Sequence, residues 1–193
     1  MITLLVLAMI IIILLLIINL KLLFKVRLLV KKNKYAYQAD MWHKLAVTDD
    51  LTGTYNRNAF NLYINDIKLD DSDKLRWLIL FDVDGFKKVN DTKGHQAGDN
   101  LLKSVAQILL EIFPSPYYRV FRIGVYEFAV LGEDVKEKEF ISKMIKLKKS
   151  LNAKEGISLS KGYSIIKSSL KEAFKYADEM LYADKNSNKL RNN

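Results

Sequence analysis

Apolar and polar positions divide the chain into two unequal regimes. Residues 2–20, ITLLVLAMIIIILLLIINL, are apolar except Thr3 and Asn19, and the first charge is Lys21. At about 1.5 Å per residue this stretch makes a helix of roughly 28 Å, close to the hydrocarbon thickness of a bilayer. A cleaved leader would need a basic segment at its start and a small-x-small site before Lys21, and the sequence has neither. Residues 1–24 are therefore expected to form an uncleaved transmembrane anchor. Leu28, Tyr35 and Trp42 follow one heptad apart, with Ala39 and Ala46 four residues after the last two. This spacing predicts a juxtamembrane helix over 25–47, either a short parallel coiled coil pairing two chains or a solvated spacer.

Beyond Thr48 the pattern alternates. Asn56 to Lys68 has helical apolar spacing. LRWLILFDVD is a buried strand ending in carboxylates, and apolar residues at 101, 102, 105, 108, 109 and 112 mark a helical face. RIGVYEFAV, from Arg122 to Val130, reads as strand, tight turn at Gly124 and Val125, and strand. Lys136 to Leu151 is a basic amphipathic helix, GISLSKGYSII a strand by alternation and β-branching, and Leu170 to Asp184 a closing helix. The prediction is one α+β domain over 48–193, a central sheet flanked by helices, with no repeat or low-complexity linker.

Composition sharpens this picture. A chain of 193 residues, 50% apolar and 27% charged, buries one core and little more. It has no cysteine, which excludes disulfides and thiolate metal sites, suits a reducing cytoplasm, and leaves oxygen ligands for any metal. The net charge of +9 is concentrated: residues 21–47 hold seven Lys or Arg against one acid, leaving 24 basic and 21 acidic residues in 48–193. Lys21, Lys25, Arg27, Lys31, Lys32 and Lys34 directly follow the apolar stretch, which by the positive-inside rule puts the C-terminal domain in the cytoplasm and allows contact with anionic headgroups. The basic run Lys143, Lys146, Lys148 and Lys149 lacks interleaved aromatics and reads as a solvated helix face, so no nucleic-acid partner is expected.

Candidate chemistry gathers at strand ends. In FDVDGFKKVNDTKGHQAGD, Asp82 and Asp84 leave a hydrophobic strand into a Gly-containing turn, on the same side by period-two alternation. Paired carboxylates there suit Mg²⁺; the plainer reading is a cap on the helix beginning near Phe86. Asn90 and Asp99 flank the turn of Gly94 and Gly98, where an Asp carboxylate can accept two guanine N–H groups and an Asn amide can meet another edge of the base. Alone, these too read as turn and cap residues. His95 is expected to cap or orient the turn, and His43 lies on the neck.

TDDLTGTYNR at 48–57, FDVDGFKKVNDTKGHQAGD at 81–99, ISLSKGY at 157–163 and ADEMLYADK at 177–185 together resemble the GGDEF family of diguanylate cyclases, in its order and spacing. The resemblance implies a fold like the palm of nucleotide cyclases, in which two domains each hold a GTP and join them into cyclic di-GMP with Mg²⁺ or Mn²⁺. It implies metal binding by Asp82 and the backbone of Val83. Asn90 and Asp99 would read guanine, and Lys87, Lys185 and Lys189 would face phosphates. Lys189 stands where the family usually has Arg, which keeps charge but weakens bidentate phosphate contact.

Against that family the RIGVYEFAV turn is altered. Gly124 matches the first Gly of the signature and Glu127 with Phe128 its last two letters, but Val125 replaces the second Gly and Tyr126 the acid that would partner Asp82. Val disfavours positive φ and puts methyls where nucleotide approaches, and a phenol, neutral at neutral pH, does not replace a metal carboxylate. Glu127, one residue along the strand, is expected on the opposite face, a doubtful substitute in catalysis. The family's inhibitory R-x-x-D is occupied by Ser115, Pro116, Tyr117 and Tyr118, so feedback binding of a cyclic dinucleotide is not expected. The reading is a membrane-anchored, catalytically impaired GGDEF-like module. It would bind a guanine nucleotide or regulate a partner, as a homodimer or as a heterodimer with another GGDEF protein. The alternatives are an active cyclase with an altered metal site and a dimerising scaffold that binds no nucleotide.

Overall fold

The computed structural model describes residues 2–66, 75–154, 156–167 and 169–191. Outside that description are also the side chains of residues 2–8, 10–13, 36–40, 42, 43, 66 and 189–191, and with them the expectations for Ala39, Trp42, His43 and the Lys189 side chain. The chain divides into two compact units, residues 1–44 and 45–193.

The first unit is helical. Helix α1 runs unbroken over Ile2–Val47. Its described side chains from Leu14 to Tyr35 are all exposed, among them Leu14, Leu15, Leu16, Ile17, Ile18, Leu20, Leu22, Leu23 and Phe24. Among the described residues no helix is long and apolar enough to cross a membrane. The transmembrane part of the expected fold is therefore without structural support, most side chains of residues 2–13 lying outside the description.

The second unit is an α+β domain on a four-stranded antiparallel sheet. Its elements are α2 (Arg57–Asp66), β1 (Arg76–Val83), α3 (Phe86–Lys93), α4 (His95–Ile112), β2 (Tyr118–Arg122), β3 (Glu127–Glu133), α5 (Glu137–Asn152), β4 (Leu159–Ile166) and α6 (Leu170–Arg191). The strand order is β2-β3-β1-β4. Central β1 is buried along its whole length, which is why its sequence is a nearly continuous apolar run. Ile79, Phe81 and Val83 face one core with Val105, Leu109 and Phe140 of α4 and α5. Leu78 and Leu80 face the other, with Phe60 of α2 and Ala173 and Ala177 of α6. Both cores contain aromatic side chains, and Trp77 stacks on Phe140 at 3.8 Å between ring centres while its indole N–H donates to the Val135 carbonyl at 2.9 Å.

Local chemistry sets the boundaries that position the site. Asn56 caps α2, its side-chain oxygen accepting the Ala59 N–H at 2.9 Å. The turn after β1 is made by Gly85 at φ 69°, the cap of α3, with no side-chain cap hydrogen bond. Asp84 therefore does not cap that helix. Helix α4 begins at His95 behind its cap residue Gly94, with no side-chain cap hydrogen bond, and His95 is exposed. Helix α6 continues past the expected end at Asp184 to Arg191, and the added turns carry Lys185 and Asn188 over the end of β1. It lies close on β4: a Cβ on Gly162 would come within 1.9 Å of the Ala177 carbonyl oxygen.

Candidate functional site

The end of β1, the β2–β3 turn and the last turns of α6 converge. Asp82 is buried, at 5% exposure, because β3 and β4 flank it: its Cα partners are Glu127 on β3 and Ser160 on β4. Its carboxylate accepts from the Lys185 ammonium, Nζ to Oδ2 2.7 Å. Burial pulls the Lys185 pKa down, but the hydrogen bond and charge of Asp82, with smaller contributions from Tyr126 and Asp84, outweigh it and hold it above the ordinary value. The ammonium is fixed as a cation.

Asp84 faces the same helix, as alternation requires, and does different work. It accepts from Ser158 Oγ at 2.6 Å, Ser160 Oγ at 2.5 Å and Asn188 Nδ2 at 3.2 Å. These bonds tie the end of β1, the start of β4 and α6 together, with three donors on this carboxylate.

The β2–β3 turn is held from outside. The Ile123 N–H donates to the Glu127 carbonyl at 2.9 Å and the Val83 N–H to the Tyr126 carbonyl at 3.0 Å. Arg57 Nη1 donates to the Ile123 carbonyl at 2.7 Å. Arg122 donates from Nη2 to the Val125 carbonyl at 2.7 Å and from Nη1 to both Asp49 oxygens at 3.2 Å. Burial raises the Asp49 pKa, but hydrogen bonds from Thr52 and Arg122 and the charge of Arg122 outweigh it, and the carboxyl sits below its ordinary value. Among the described residues the one non-glycine with positive φ is Asp134. Val125 therefore strains no backbone; it is 65% exposed at the tip of the turn. The expected conflict with positive φ is absent because this turn does not need it.

Tyr126 points to the face of Phe86, ring centres 5.8 Å apart, with Lys185 Nζ 5.8 Å from its ring. Glu127 is the partner of Asp82 in register, which puts the two side chains on one face of the sheet. A Cβ on Gly124 would fall 2.1 Å from Glu127 Oε2, so this carboxylate folds back over its own turn.

On the other side of Phe86, Asn90 of α3 faces Gly98 of α4, one residue before Asp99. A Cβ on Gly98 would lie 1.9 Å from Asn90 Oδ1. That oxygen is buried with no hydrogen-bond partner among the described residues. A buried polar atom is costly unless a donor, from water or a ligand, meets it. Lys87, near the start of α3, is exposed.

Comparison with known proteins follows from this geometry. The family model described as diguanylate cyclase, GGDEF domain matches residues 46–191. The chain is a member of the GGDEF family. An uncharacterized membrane protein of Staphylococcus haemolyticus is 33% identical, over 76% of this chain and 48% of its own length; the chain spans about half the length of the curated relatives it matches. The GGDEF domain of DgcB from Caulobacter crescentus, solved in complex with c-di-GMP, superposes with a TM-score of 0.68 at 26% identity, over 74% of this chain and 91% of that one. A DgcB structure comprising the coiled coil and GGDEF domain reaches 0.71 at 24% identity, over 81% of this chain and 90% of that one, and supports the fold.

Lys185, expected at phosphates, pairs with Asp82, a contact that uses one of its three N–H donors. Mg²⁺ or Mn²⁺ held by Asp82 and the Val83 backbone does not fit the donors in place: the carboxylate has a cation, a phenol stands at the signature acid, and among the described residues no group of three or more His, Cys, Asp or Glu could hold a metal. The inhibitory positions also changed character. Tyr118 is 2% exposed in the core beside Phe113, and burial, with Glu139, pushes its phenol up to about 12. Sequence reasoning missed the clamp of Asp49, Arg57 and Arg122. Two of these residues lie in the TDDLTGTYNR stretch, but their contacts to 122–125 cross the whole domain and leave no periodic signal.

Proposed function

We propose that this GGDEF protein is a membrane-anchored element of cyclic di-GMP signalling that binds a guanine nucleotide, condenses it poorly or not at all, and acts by pairing with itself or with another GGDEF protein. The observation that carries the reading is the pairing of Lys185 with Asp82 beside Tyr126, which stands where the family signature has an acid. Two-metal condensation needs carboxylates to hold the ions that stabilise the attacked phosphate, and here one is neutralised and one replaced. Nucleotide binding is supported by the unpartnered Asn90 oxygen, the space left by Gly98 and the adjacent Asp99. Anchoring is supported by the uncharged stretch 2–20, the basic residues after it, the exposed apolar side chains of α1 and the membrane-protein description of the relatives.

The register of Asp82 opposite Glu127 favours a second reading, an active cyclase that uses Glu127 as its second acid. Incubating the full chain in detergent with GTP and Mg²⁺ or Mn²⁺, followed by nucleotide chromatography, separates the two. Little or no cyclic di-GMP is expected. Robust turnover that Glu127→Gln abolishes would replace the first reading with the second.

A further inference from the structure

We infer that the Lys185 ammonium takes the place of the divalent cation in this site, so that the chain binds a guanine nucleotide without metal, a conclusion that rests on the nucleotide reading above. A metal here would be held by protein carboxylates and would supply positive charge to phosphate. Lys185 offers positive charge at the same carboxylate. Its Nζ is 2.7 Å from Asp82 Oδ2, and its side chain is one-third exposed while that of Asp82 is 8% exposed. One of three N–H donors is spent on the buried carboxylate and the others remain for an anionic oxygen on the open side. The Tyr126 ring, 5.8 Å from the same nitrogen, adds an apolar wall whose face favours a cation.

The charges decide against a metal. A divalent ion would have to displace or sit beside the Lys185 ammonium, 2.7 Å from Asp82, and the signature position offers a phenol in place of a carboxylate. Asp84 cannot turn to help, because Ser158, Ser160 and Asn188 hold it. Glu127 shares the face of Asp82 but is folded over Gly124.

The test is calorimetric titration of GTP into the full chain in detergent, once with excess Mg²⁺ and once with EDTA. The affinities should agree within about threefold, and Lys185→Met should lose about tenfold or more in EDTA. Binding in Mg²⁺ that EDTA abolishes would overturn the inference and leave the nucleotide reading standing. No binding under either condition would end both. The wild-type comparison needs no variant to fold. A second measurement follows free Mn²⁺ by electron paramagnetic resonance without nucleotide. Wild type should leave the signal unchanged, and Tyr126→Asp should deplete it by restoring an acid. Depletion by wild type that Asp82→Asn reverses would also overturn the inference.

Discussion

Asn90, Gly98 and Asp99 form a unit whose parts make sense only together. Gly98 has no Cβ, the Asn90 amide occupies the space thereby left, and its Oδ1 is buried there. Gly98→Ala should push the Asn90 side chain out of place, because the added Cβ meets the flexible end of that chain rather than backbone. GTP affinity should fall by about tenfold or more while the melting temperature changes little, checked by calorimetry and thermal circular dichroism. Asp99→Ala removes an acceptor for two guanine donors and should cost about 1.5–3 kcal/mol, roughly ten- to a hundredfold in Kd. Tyr126→Ala should leave Kd within a fewfold of wild type. ATP should bind much more weakly than GTP, since its base offers Asp99 no such pair of donors. ATP binding equal to GTP would remove the base-reading role from both residues.

Among the elements, the β2–β3 hairpin is the one whose geometry is imposed by others. Three side chains, Asp49, Arg57 and Arg122, hold the turn through backbone carbonyls and one ion pair. The Asp49 carboxyl is depressed in the fold, so its contribution is complete above its ordinary value of 3.8 and disappears as pH falls through the lowered folded value. Melting temperature should therefore drop more steeply on acidification below about pH 4 in wild type than in Asp49→Asn. Asp49→Ala should cost about 2 kcal/mol near neutrality, read by urea unfolding. The α6–β4 contact is less forgiving. Gly162→Ala drives a Cβ against the Ala177 carbonyl and the Leu181 amide, both backbone groups, and should destabilise the domain by about 3 kcal/mol or more.

For the whole molecule the uneven distribution of charge and apolar surface is decisive. Six basic residues lie between 21 and 34, directly after the apolar stretch. A reporter fused after Asn193 should therefore be cytoplasmic, and the chain should remain with the membrane fraction through a carbonate wash. Recovery of a soluble product beginning after Lys21 would refute the anchor. The domain itself, nearly balanced in charge, has two cores, one on each face of its sheet. That layering brings α3 and α4 to one side and α6 to the other, with Asp82 buried between its neighbouring strands.

The sequence alone determined the α+β class, most element positions and the residues around which the site is built. The reason is that amphipathic periods, β-branched runs and glycine turns are local, and the four motif stretches keep family order. What only the tertiary structure decided is which charges meet. Lys185 and Asp82 are far apart in sequence, and their pairing depends on α6 running past Asp184 and lying against the end of β1. The placement of Glu127 opposite Asp82 required the register of β1 against β3. The roles of Asp49, Arg57 and Arg122 were hidden for the same cause: a side chain reaching a distant backbone carbonyl leaves no repeat in the chain, since its partner is fixed by packing of the whole domain.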